Sequence, residues 1–106
     1  MPKYLIKASY TADGVKGVMK DGGTKRRQAA EAAVKSTGGK LEGFYFAFGE
    51  ADALVIIDAP DNASVAAASM AIGASGLVTA KTVVLLTPEE IDQAVKKGAT
   101  YTPPGR

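Results

Sequence analysis

The 106-residue sequence contains no cysteine, no histidine and no tryptophan. Without cysteine there is no disulfide framework, no thiol nucleophile and no thiolate metal site. Without histidine the chain loses the commonest general base near neutral pH and the commonest metal ligand. Zinc, soft metals and haem held by an axial histidine are thereby excluded. The acidic side chains are scattered singly apart from Glu89-Glu90, and carboxylates of that kind suit Mg²⁺ or Ca²⁺ at best. The expectation is therefore no metal and no cofactor. Acid–base chemistry, if any, falls to Asp, Glu, Lys or Tyr. Charge of one sign is also scarce: 13 basic against 11 acidic residues leave a net +2. That excess is too small to draw the chain to nucleic acid or to a membrane surface. No apolar run reaches the length of a membrane span. The start Met1-Pro2-Lys3-Tyr4 lacks the apolar stretch of a secretory signal, so the expected location is cytoplasmic.

What is present reads as one domain, residues 1–98, followed by a Pro/Gly tail, 99–106. Residues 3–10 alternate as a strand, with Tyr4, Ile6, Ala8 and Tyr10 on one side. Thr11 caps a short helix that Asp21-Gly22-Gly23 interrupts, and Thr24 is expected to cap a second one running from Lys25 to Ser36. Gly38-Gly39 closes that helix. Residues 41–48 and 52–59 read as a hairpin around Gly49-Glu50-Ala51. Pro60 ends it, and Asp61 or Asn62 caps an alanine-rich helix through Met70 and Ile72. Residues 77–86 form a fourth strand. Thr87-Pro88-Glu89-Glu90 then opens a last helix, which Lys96-Lys97-Gly98 closes; acids at its start and cations at its end both suit the helix dipole. The order predicts an α+β, ferredoxin-like βαββαβ fold: a four-stranded antiparallel sheet, helices on one face, and an extra C-terminal helix.

A sheet with one wet face alternates apolar and polar residues. Three of these strands do not: Leu54 and Ile56 back onto Val55 and Ile57, Val83 and Leu85 onto Val84 and Leu86, and Phe44 and Phe46 onto Tyr45 and Ala47. Both faces read as buried, and the helices suffice for one. The expected partner is a second copy packed sheet to sheet, giving a homodimer or a higher oligomer. The alternative is that the C-terminal helix folds across the open face.

The run Gly43-Phe44-Tyr45-Phe46-Ala47-Phe48-Gly49-Glu50-Ala51-Asp52, followed by Ile56-Ile57-Asp58-Ala59-Pro60-Asp61, resembles the core of the GYD-domain family. Tyr10-Thr11 with Gly14, Gly38-Gly39-Lys40 and Leu86-Thr87-Pro88-Glu89 extend that resemblance to about residue 95. Gly49 and Asp52 match the Gly-x-Tyr-Asp pattern that names the family, and Ala51 stands where its tyrosine would be. The resemblance implies a dimeric α/β barrel in which two sheets face each other. It implies no family-wide reaction.

Candidate ligand-binding residues are Lys7, Tyr10, Tyr45, Phe46, Asp52 and Lys81. Asp52 beside a tight turn is either a general base or a cap for free amides. Lys7 and Lys81 lie in apolar strands that the fold makes neighbours, so they are expected to converge near the phenylalanines of the second strand, offering ammonium groups to an acidic or aromatic ligand. Snorkelling lysines and tyrosines that pack their rings and wet their hydroxyls are the plainer readings. Lys25, Arg26 and Arg27, after the Gly22-Gly23 break, are expected to form a weak anion site, with Asp21 a rival partner. Three functions fit: a homodimeric small-molecule-binding or sensing domain, a cofactor-independent enzyme acting on an aromatic or acidic metabolite, or a structural interaction module.

Overall fold

The computed structural model describes all residues, 1–106. In chain order it contains β1 (Lys3–Tyr10), α1 (Ala12–Asp21), α2 (Gly23–Ser36), β2 (Lys40–Phe46), β3 (Ala53–Asp58), α3 (Asn62–Ala74), β4 (Val78–Leu85) and α4 (Pro88–Lys97). The sheet is four-stranded and antiparallel throughout, in the order β2-β3-β1-β4, as the ferredoxin-like reading requires. Most boundaries follow the caps seen in the sequence. Thr11 accepts from the Gly14 amide, Asp61 from Ser64, and Thr87 with Glu90 completes a reciprocal capping box. One cap is corrected. Gly22, with φ of 81°, is the N-cap of α2 and makes no side-chain bond, so Thr24 lies inside the helix and caps nothing. Only glycine adopts that backbone without strain, and this is why the break between α1 and α2 falls there.

Tyr4, Ile6, Val34, Val55, Ile57, Ala59 and Val65 form the buried core between the sheet and α2 and α3. A β-bulge decides which residues of β2 join it. Leu41 pairs with Ile57 and Gly43 with Ile56, leaving Glu42 as the extra residue. Strict alternation would put Leu41 on the face of Tyr45; the bulge places Leu41 and Phe44 together against the core. β2 also ends at Phe46, two residues earlier than expected, and Phe48 stands fully exposed beyond the sheet.

The other sheet face is uncovered. Leu5, Leu54, Ile56, Val83 and Leu85 share it with Lys3, Lys7, Ser9, Thr79, Lys81 and Tyr45, as the pairings Leu5–Ile56, Leu5–Val83, Lys7–Leu54 and Tyr45–Leu54 require. The alternative in which the C-terminal helix lies over this face is overturned. α4 has no buried residue and no substantial packing against any other helix or strand. It projects from the body, and the radius of gyration is 16.8 Å, against about 13 Å for a compact chain of this length.

Candidate functional site

The helix layer does not close over the sheet. The cleft between α2, α3 and the sheet has a volume of about 240 Å³. Its floor is Ile6, Ala8, Tyr10, Phe44, Ala53 and Val55, and its walls are the alanine-rich faces of α2 and α3. Fifteen of its sixteen lining residues are hydrophobic, and Arg26 is the exception. Alanine explains the space: α2 turns Ala29, Ala30 and Ala33 towards the sheet and α3 turns Ala68 and Ala71, so side chains too short to meet leave a gap. The alanine-rich α3 is therefore cleft wall as well as core.

Arg26 is half-buried and has no acidic side chain within ion-pair distance. Asp21 lines an adjoining hollow that also contains Arg26, Tyr10, Gly14 and Ser75, but its carboxylate pairs with Lys25 at 3.7 Å. Tyr10 and Arg26 are thus common to the apolar cleft and the polar hollow and stand at their junction. Phe46 shields the adjacent edge. Its ring stacks edge-on against Phe44 with centroids 5.3 Å apart and lies close over Gly23.

The remaining candidates are distributed differently from the sequence reading. Asp52 is a structural clip: its Oδ2 accepts from the Tyr10 amide at 2.8 Å, while its own amide donates to the Ala8 carbonyl at 2.9 Å. Lys7 and Lys81 are direct cross-strand partners, as expected, and border a polar hollow with Ser9, Glu50, Ala51 and Thr79. They do not converge with the phenylalanines. Phe44 and Phe46 pair with Val55 and Ala53 on the helix side, whereas Lys7 and Lys81 share the open face. Tyr45 is on the open face and 64% exposed, its ring lying back over Gly43. The basic triplet is also split. Lys25 turns to Asp21, Arg26 lines the cleft, and Arg27 lines a separate hollow at the β2 edge with Glu31, Glu42 and Tyr45, so the fold does not bring the three to one hollow. No three acidic side chains converge as metal ligands, and no helix is long and apolar enough to cross a membrane.

The pairing of Tyr10 with Arg26 has no local signature, because they lie on β1 and α2 and meet only when the helix docks. The GYD domain model matches residues 4–95, which takes in the sheet from Tyr4 onward and every cleft residue. No curated protein and no solved structure matches the chain.

Proposed function

Because the chain belongs to the GYD-domain family, we propose that it is a cytoplasmic, homodimeric small-molecule-binding or sensing domain whose ligand is a small apolar acid. The observation that carries this reading is the single unpaired cation at the mouth of an otherwise hydrophobic cleft. A half-buried guanidinium favours an anionic partner that brings its own charge, and the hydrophobic walls favour an apolar body. The cleft, at about 240 Å³, lies just under the usual range of ligand pockets, which begins at about 300 Å³, so it limits the ligand to a small molecule. Tyr10, which lines the same junction, carries a second polar group. The lining suits holding a ligand better than transforming one, since apart from Arg26 and Tyr10 it is hydrocarbon.

Titration calorimetry with medium-chain alkanoates and arylalkanoic acids tests the assignment. A charged hydrogen bond contributes about 1.5–3 kcal/mol, so Arg26→Ala should weaken carboxylate binding roughly tenfold to a hundredfold. Arg27→Ala should leave it unchanged. The corresponding primary amides should bind wild type and Arg26→Ala alike. Equal loss from both arginine variants, or no binding of any acid by wild type, would reject the assignment.

A further inference from the structure

α4 is a complete helix with nothing to stand on. It has a capping box, Pro88 at its start, acids in its first turn and lysines in its last. These local signals set its ends, but a helix of 10 residues is too short to be stable alone and needs an apolar face packed on something. It has such a face: Ile91 and Val95, one turn apart, are 47% and 75% exposed. The body of the same chain offers a second uncovered apolar surface. Val83 on the edge strand β4 is 40% exposed, and Leu5, Leu54, Ile56 and Leu85 continue this surface across the open sheet.

We infer that α4 is an exchanged arm, which seats its Ile91–Val95 face on a second copy of this chain and widens a dimer interface made by the open sheet faces. The inference rests on the dimeric reading above. Two observations favour a second copy over any other occupant. With strands about 4.8 Å apart rising about 3.3 Å per residue, the open sheet face covers roughly 500 Å². A stable interface of ordinary size takes about 800 Å² from each partner, so the sheet alone falls short and the arm supplies the difference. The two surfaces are also continuous. α4 begins at Pro88, just after Leu85, whose side chain belongs to the open face, with Leu86 and Thr87 between. An arm leaving the sheet edge away from its own body is placed to cross to the opposing subunit, and twofold symmetry returns the contact.

Sedimentation equilibrium and hydrogen exchange on the full chain test this together. Wild type should be a dimer, and the amides of residues 88–97 should be protected in proportion to the dimer fraction, losing protection on dilution. Ile91→Asp and a chain ending at Thr87 should each retain the sheet's circular dichroism and raise the dimer dissociation constant at least tenfold. If both remain dimers of wild-type affinity while Ile56→Asp is monomeric, the arm is wrong and the sheet-face dimer stands. If wild type is itself monomeric at all concentrations, both fail. Protection of residues 88–97 acquired only on adding anionic lipid vesicles would assign the arm to a membrane surface and overturn the proposal.

Discussion

At the residue scale, two carboxylates show how a single side chain holds a boundary of the fold. Asp52 ties the end of β1 to the β2–β3 turn through the Tyr10 amide. Asp52→Ala leaves that partly buried amide unpaired, so unfolding in urea should show a loss of about 1–3 kcal/mol. Asp58 accepts from Lys3 Nζ at 2.9 Å, and the same ammonium bonds Glu42 at the bulge. The Lys3 hydrogen bond holds the Asp58 carboxyl below its ordinary 3.8, and the Ser64 amide does the same for Asp61 at the start of α3. Both folded-state values lie below the unfolded ones, so their stabilisation is complete above about pH 4 and is lost as pH falls through the lowered values. Lys3 is shifted upward, first by Glu42 and then by Asp58, so its share persists through neutrality and fades only above 10.5. Melting temperature should therefore fall below pH 4, and Asp58→Asn should make that fall shallower while lowering stability at pH 7. An equally steep acid limb in the variant would show that the pair does not contribute.

At the element scale, α1 shows the difference between a glycine that is required and one that is tolerated. Gly14 brings the start of α1 against the chain entering β4, and a Cβ there would lie 2.2 Å from the Leu77 carbonyl oxygen. The Thr11 amide donates to that same oxygen at 2.9 Å, so it cannot retreat without breaking the cap region. Gly14→Ala should cost at least about 2 kcal/mol through overpacking. Gly17, one turn later, faces open space. Gly17→Ala should raise stability by about 0.5–1 kcal/mol, because alanine restricts the unfolded chain and favours the helix. Thermal or urea unfolding of the two variants should move in opposite directions.

At the scale of the whole molecule, the half-buried Leu5, Leu54 and Ile56 make the open sheet face a contiguous apolar surface left to solvent. Ile56→Asp tests whether a second copy covers it. In an isolated chain the new carboxylate would remain hydrated and the fold should survive. In a sheet-to-sheet dimer it would be desolvated without a counter-charge, which costs several kcal/mol. Analytical ultracentrifugation should show a folded monomer for the variant and a dimer for wild type. A wild-type mass equal to that of one chain would reject the dimer.

Local chemistry in the sequence determined the elements and their order: caps at Thr11, Asp61 and Thr87, glycines after helices, and alternation along β1. Each of these acts within a few residues, so each can be read without knowing the rest of the fold. The absences of histidine and cysteine excluded whole classes of chemistry in the same direct way. The family was legible too, because its matching residues bear turns and strand ends. The site was legible only in pieces. Tyr10 and Arg26 were both candidates, but for different ligands, and only the docking of α2 against the sheet brings them to one cleft. The bulge at Glu42 decided which face the phenylalanines take, and so separated them from Lys7 and Lys81. The gap between α2 and α3 is likewise tertiary: alanine is equally at home in a tight helix contact or at a cleft wall, and only the way the two helices dock on the sheet makes it the latter. Sequence periodicity identifies an apolar surface, but what covers that surface depends on how far the rest of the chain can reach.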